Sequence, residues 1–93
     1  MAYRILLTGL FKRSYKRCLK RGLNGELLSE VLSILSTTGA LPQQYRPHKL
    51  SGKYEGCMEC HIQPDWLLVW QQDNNQLTLL LIDTGTHSDL FGK

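Results

Sequence analysis

No stretch of this chain approaches the ~20 consecutive apolar residues that a helix needs to cross a bilayer. A membrane-spanning protein is therefore not expected. The start does not read as an export signal either. Its apolar patch, Ile5 to Phe11, is interrupted by Thr8 and Gly9, and positive charge follows the patch instead of leading it. Cysteine is scarce and odd in number: Cys18, Cys57 and Cys60. Any disulfide scheme leaves one thiol over, which suits a reducing compartment. These absences lead to the expectation of a cytoplasmic protein. Acid is missing from residues 1–22, which carry Arg4, Lys12, Arg13, Lys16, Arg17, Lys20 and Arg21 unopposed. The remaining bases (Arg46, Lys49, Lys53 and Lys93) face all eight acids of the chain, a balance of −4. The net charge of +3 thus hides a basic segment on a mildly acidic body. Such a segment suits a polyanion or an acidic partner, and its bland counterpart is a solvated helix face.

What is present is enough for one modest core. Ninety-three residues with 42% hydrophobic and 20% charged side chains make a single domain, residues 1–93. Tyr3 to Leu7 reads as a short strand. Thr8 can cap a helix whose stripe is Leu10, Phe11, Tyr15, Cys18 and Leu19, with bases over the rest of its surface and Gly22 as its stop. Asn24 can cap a second helix with Leu27, Leu28, Val31, Leu32, Ile34 and Leu35, closed by Gly39. The pair forms a helical hairpin whose apolar stripes need a sheet to cover. Residues 40–52, with Pro42, Pro47 and Gly52, read as a loop. Residues 53–62 then alternate. Tyr54, Gly56, Met58, Cys60 and Ile62 share one face; Lys53, Glu55, Cys57, Glu59 and His61 share the other. Pro64 stops the strand and Asp65 sits at the corner. The next strand, 66–72, puts Trp66, Leu68 and Trp70 on one face and Leu67 and Val69 on the other. Asp73-Asn74-Asn75 reads as a turn, and Leu77 to Ile82, apolar on both faces, as a central strand. Asp83 to Gly92 reads as a polar, turn-rich tail. The predicted class is α+β in the order β-α-α-β-β-β, without repeats or low-complexity segments.

Cys57-Met58-Glu59-Cys60-His61 matches the C-x-x-C-H pattern of haem attachment. Residues three apart on a strand point to opposite faces, which defeats haem attachment, a zinc knuckle and a redox pair alike. A lone pair is also short of four zinc ligands. Cys60 is expected in the core and Cys57 partly exposed. The histidines are more informative. Taken singly, His48, His61 and His87 are surface or capping residues. Taken together, they all lie in or beside loops around one sheet. Their spacings of 13 and 26 fit no common metal-ligand pattern, so proton transfer is the preferred use, with Asp65 the nearby carboxylate. Arg46, Lys49 and Lys53 cluster near His48 and suit phosphate contact. Trp66, Trp70, Tyr45 and Phe91 can stack bases. Core packing is the competing use, strong for the two tryptophans and weaker for Phe91.

Three motifs in order then resemble a known family, the YafQ branch of the RelE/ParE toxin superfamily. They are Pro42-Gln43-Gln44-Tyr45-Arg46-Pro47-His48-Lys49-Leu50-Ser51-Gly52, followed by Gly56 and His61-Ile62-Gln63-Pro64-Asp65-Trp66, and then Thr84-Gly85-Thr86-His87-Ser88-Asp89-Leu90-Phe91-Gly92. The segment Phe11 to Arg17 also resembles that family's first helix, so the likeness spans nearly the whole chain. It implies a small, mainly antiparallel sheet with the helical hairpin on one face and the active site on the other. It implies a toxin of a type II toxin–antitoxin pair, a ribosome-dependent endoribonuclease that cuts mRNA without metal or other cofactor. The partners it implies are a cognate antitoxin of the RelB/DinJ kind, the ribosome and mRNA. Carried over by position, His87 is the general acid, and His48, His61 and Asp65 supply the base and its orientation, with the choice among them open. Phe91 positions a base, and Trp66 borders the site. Arg46, Lys49 and Lys53 are the RNA contacts. Lys12, Arg13, Lys16, Arg17 and Lys20 meet the ribosome or the antitoxin. One position departs: where the family pattern usually has an arginine before Thr84-Gly85, this chain has Asp83. Either Arg46, Lys49 or Lys53 replaces that charge, or Asp83 pairs with a histidine, or the chain is a weak or inactive binder on the same fold.

Overall fold

Thr8 starts the first helix: its hydroxyl accepts the Phe11 amide at 3.0 Å and donates to the Leu81 carbonyl at 2.9 Å, so the cap is also tied to the sheet. A computed structural model describes residues 2–92, which leaves Met1 and Lys93 outside it. Helix α1 runs Gly9–Lys20 and α2 runs Gly25–Thr38. Asn24 caps α2 through the Glu26 amide, and Gly39, in the left-handed region at φ 75°, ends it. The buried line of α1 is Phe11, Ser14 and Cys18, narrower than the predicted stripe. Leu10 and Leu19 lie at its flanks and are each 44% exposed. Spacings of three and four place only 11, 14 and 18 directly over the sheet. Ser14 is small enough to let α1 lie close against β5.

Among the described residues five strands form one sheet: β1 (Arg4–Leu7), β2 (His48–Lys49), β3 (Met58–Gln63), β4 (Trp66–Asp73) and β5 (Thr78–Gly85). Their order is β1-β5-β4-β3-β2. β1 runs parallel to β5, and the other pairings are antiparallel. The α+β class and the helical hairpin on one face are as predicted. Three segments differ. Residues 52–54 form a 3₁₀ turn and Gly56 takes φ 89°, so the strand predicted from Lys53 begins at Met58. His48 and Lys49, assigned to a loop, pair with Glu59 and Met58 as an edge strand. β5 continues through Asp83, Thr84 and Gly85, and the tail beyond it forms a short helix, α3 (His87–Phe91). The tail looked turn-rich because helix caps and turns use the same residues. Thr86 and Asp89 close a reciprocal capping box.

Alternation on β4 buries it on both faces. Trp66, Leu68 and Trp70 join Phe11, Val31, Leu35, Cys60, Leu79 and Leu81 beneath the helices. Leu67 and Val69 join Tyr54, Cys57 and Leu90 on the opposite face. Cys57 and Cys60 thus lie on opposite sides of the sheet, as expected, although Cys57 stands just before β3, and Cys57 is buried instead of partly exposed. The 52–57 turn folds it under Tyr54.

The buried indole of Trp66 donates to the Thr84 hydroxyl at 2.9 Å, and that hydroxyl donates to the Leu67 carbonyl at 2.6 Å. Thr84→Val strips both partners away. We expect a loss of about 1–3 kcal/mol in urea unfolding, and a smaller loss from the same substitution made in a Trp66→Phe background, because no indole N–H is then left unsatisfied.

Candidate active site

The face of the sheet away from the helical hairpin carries the titratable groups. On an antiparallel pair, opposed residues point to one side, and so do residues two apart on a strand. His48 opposes Glu59 across β2 and β3, and His61 follows Glu59 by two. All three therefore meet on the same face. His48 Nε2 stands 3.1 Å from Glu59 Oε1, and His61 Nε2 stands 3.9 Å from the same oxygen. Glu59 is 4% exposed, and its Oε2 is buried with no hydrogen-bond partner among the described residues. Sequence reasoning missed Glu59 as a site residue. The available signal was its place two residues before His61 on the polar face of a strand.

His87 reaches the group from the start of α3. Its ring centre is 5.6 Å from that of His61, which is 6.3 Å from that of His48. The three imidazoles thus form a row, with His61 in the middle. Asp65, at the β3–β4 corner, accepts two hydrogen bonds from His87: the ring Nδ1 at 2.5 Å and the backbone amide at 2.8 Å. Those bonds, the backbone one foremost, hold the Asp65 carboxyl below its usual range. His61 Nδ1 faces the Pro64 carbonyl at 3.3 Å, so its N–H donates there and Nε2 keeps a lone pair. His48 Nδ1 faces the Arg46 carbonyl at 2.9 Å while its Nε2 faces Glu59. Both contacts are hydrogen bonds only if a proton lies between His48 Nε2 and Glu59.

Bases and an aromatic ring lie around the row. At one end a cleft of about 350 Å³ opens between Gln44–Arg46 and His61–Pro64. Arg46 sits there in the left-handed region at φ 49°. At the other end Phe91, 38% exposed, meets the buried Tyr54 ring edge-on at 5.7 Å. Lys53 Nζ lies 5.1 Å from the Tyr54 ring and donates to the Leu90 carbonyl at 3.2 Å. Lys49 follows His48 on β2, and alternation turns it to the opposite side of that edge strand. Trp66 is fully buried under the helices.

Asp83 does not pair with a histidine. The ion pairs of the histidines among the described residues go to Glu59 and Asp65. Asp83 is buried opposite Val69 on β5, and its Oδ1 accepts the Thr84 amide at 2.8 Å. Burial raises the Tyr54 phenol first, and the Asp83 charge adds to that shift. Of the basic α1 residues, Lys12, Arg13, Lys16 and Lys20 are exposed at the surface, whereas Arg17 lies 3.8 Å from Asp89. No group of three or more His, Cys, Asp or Glu among the described residues is arranged to hold a metal ion.

Comparison with known proteins gives the chain its family. Residues 3–92 match the family model described as a bacterial toxin of type II toxin–antitoxin systems, YafQ. The chain is 31% identical over 86 residues to the mRNA interferase toxin YafQ of Escherichia coli K12, covering 91% of each. It superposes with a TM-score of 0.87 on YafQ in the crystal structure of the E. coli DinJ–YafQ toxin–antitoxin complex, at 30% identity over 99% of this chain and 100% of that one. A metal-bound toxin from Helicobacter pylori gives a TM-score of 0.86 at 36% identity, over 98% and 100% of the two chains.

Two outcomes are expected. Long-range ¹H–¹⁵N spectra of the neutral His61 ring should show its proton on Nδ1 rather than Nε2. The reverse tautomer would contradict the Pro64 contact. In acid, Asp89 supplies the sign. Its carboxyl is drawn from 3.8 down to about 2, chiefly by Arg21, so its stabilisation is complete above the higher value and lost as pH falls to the lower. Acid unfolding of Asp89→Asn should lack that component.

Proposed function

The chain belongs to the YafQ family of bacterial type II toxins, and from that membership we propose that its row of three histidines is the centre at which it cuts mRNA. The protein is a toxin with endoribonuclease activity, and an antitoxin is its partner. The observation that carries the catalytic reading is the pair of rings at 5.6 Å, His61 and His87, each with Nδ1 held on an oxygen, which leaves Nε2 as the nitrogen to act on the RNA.

The reaction needs one proton removed and one supplied. The RNA 2′-hydroxyl attacks the adjacent phosphorus, the bond from phosphorus to the 5′-oxygen breaks, and a 2′,3′-cyclic phosphate and a 5′-hydroxyl result. His61 Nε2 takes the proton from the 2′-hydroxyl. His87 Nε2 gives one to the departing 5′-oxygen, with Asp65 holding that ring at the correct angle. His48 and Glu59 flank His61 and steady charge beside the base. Every group used is a side chain of this chain, and proton transfer needs no cofactor. Lys53 and Arg46 lie toward the two ends of the row and steady the phosphates. The cleft beside Arg46 and the exposed Phe91 ring receive bases on either side of the cut. The ribosome presents the mRNA, and Lys12, Arg13, Lys16 and Lys20 meet ribosomal RNA or the acidic part of the antitoxin. These partners and the absence of a membrane-spanning helix among the described residues fit work in the cytoplasm.

Asp83 motivated the alternative of an inactive binder. Its carboxylate is buried and engaged by the Thr84 amide. On this reading the histidine row works without an arginine at that position, and Lys53 acts at that end.

Expression without antitoxin, with sequencing of mRNA ends, tests the reading. We expect growth arrest and new 5′-hydroxyl ends. His87→Ala and His61→Ala should each lower cleavage by about 10²–10⁴-fold. An unaltered transcript pool would leave the binder reading standing, and Asp83→Arg would then be expected to create cleavage.

A further inference from the structure

The helix that carries His87 is too short to hold itself. Five residues make one hydrogen-bonded turn and a little more, and such a helix has no stability of its own in water. Its orientation must come from the groups that tie it down. Leu90 anchors its underside in the second core layer. Toward the first helix the tie is Asp89. Arg21, the residue that ends α1, grips the Asp89 carboxylate with both terminal nitrogens: Nη1 to Oδ2 at 2.6 Å and Nη2 to Oδ1 at 3.2 Å. Arg17 stands one turn back at 3.8 Å. The same carboxylate accepts the Thr86 amide at 2.9 Å, while the Asp89 amide donates to the Thr86 hydroxyl at 3.1 Å. One side chain therefore both closes the cap of α3 and fastens that cap to α1. The chain is built around it at Gly85, where φ is 154° and a Cβ would fall 2.7 Å from Asp89 Oδ2. His87 directly follows the cap residue.

We propose that Asp89, gripped by Arg21, is a positioning residue for His87: the strap from α1 to the α3 cap sets where the His87 ring stands relative to His61 and Asp65. The effect is indirect. Asp89 does not touch the reacting atoms, and its carboxylate is spent on Arg21 and Thr86. A bidentate arginine suits the task because it fixes direction as well as distance. The drawn-down Asp89 carboxyl fits the grip and keeps the strap charged throughout the neutral range. The strap also divides the basic helix. Its C-terminal arginines serve the active site from behind, and the lysines and Arg13 remain for outside partners.

The activity arm of the test rests on the role of His87 proposed above, so a second arm is independent of cleavage. Four variants separate the two duties of the side chain. Asp89→Asn keeps an acceptor for the Thr86 amide and weakens the grip. Arg21→Ala removes the grip and keeps the cap. Asp89→Ala removes both, and Asp89→Glu restores both, since glutamate also closes a capping box. In the first arm, cleavage of mRNA on ribosomes is measured with each variant. We expect kcat to fall on the order of tenfold for Asp89→Asn and Arg21→Ala, further for Asp89→Ala, with KM little changed and Asp89→Glu close to the parent. In the second arm, the His61 and His87 imidazole resonances are recorded without RNA. We expect the His87 ring signals to move or broaden in Arg21→Ala while those of His61 hold. Unmoved His87 signals in Arg21→Ala and Asp89→Ala would overturn the proposal whatever the activity. Moved signals in a protein whose parent form cuts nothing would uphold the strap and remove the catalytic role it was thought to serve.

Discussion

β4 must be covered on both sides, and most of the molecule follows from that constraint. Trp66, Leu67, Leu68, Val69 and Trp70 are all buried, so a solvent-facing side of the sheet is impossible along that strand. Burying one such side chain contributes about 1.5–3 kcal/mol, and the five together outweigh any single polar contact in the molecule. The helical hairpin supplies one cover. The other is assembled from smaller pieces: the 52–57 turn with Tyr54 and Cys57, and the anchor residue Leu90 of α3. The second cover is thin and stops short of the β3–β4 corner. The histidine row lies where it stops.

That arrangement explains how a small domain keeps polar chemistry next to a core. The face beyond Leu67 and Val69 need not be apolar, and β3 presents Glu59 and His61 there. Glu59 is the costly member. A buried carboxylate with one oxygen unpartnered is tolerated only with a strong partner at the other, and His48 Nε2 at 3.1 Å is that partner. The edge strand β2 consists of just two residues, yet its register brings His48 to Glu59. On the other side of His61, Asp65 and Asp89 each spend a carboxylate on α3, one on its first residue and one on its cap. The site is thus held by electrostatic ties at its two ends, with the packed sheet beneath.

Much of the fold was legible because its signals are local. Thr8, Asn24 and Gly39 occupy cap positions that admit few side chains, and alternation along 66–72 told correctly which residues share a face. The failures share a cause. Residues 53–57 alternate in polarity as a strand does, but Gly52 and Gly56 carry left-handed backbone that breaks the extended run. The tail reads as turns because Thr86, Ser88 and Asp89 suit turns and helix caps equally. Leu10 and Leu19 fit the helical period and still face outward, since their burial depends on how α1 is rotated over β5.

By itself the sequence determined the helical hairpin, the faces of β4, the opposed directions of Cys57 and Cys60, and a set of histidines gathered around one sheet. Periodicity and capping are properties of neighbours along the chain, so they can be read without coordinates. Tertiary structure alone decided that the histidines form a row, that Glu59 stands between two of them, that Asp83 turns inward, and that Arg21 grips Asp89 across 68 positions of chain. Those facts depend on strand register and on the rotation of helices about their axes. Both are set by how whole faces pack, and no short stretch of sequence records them.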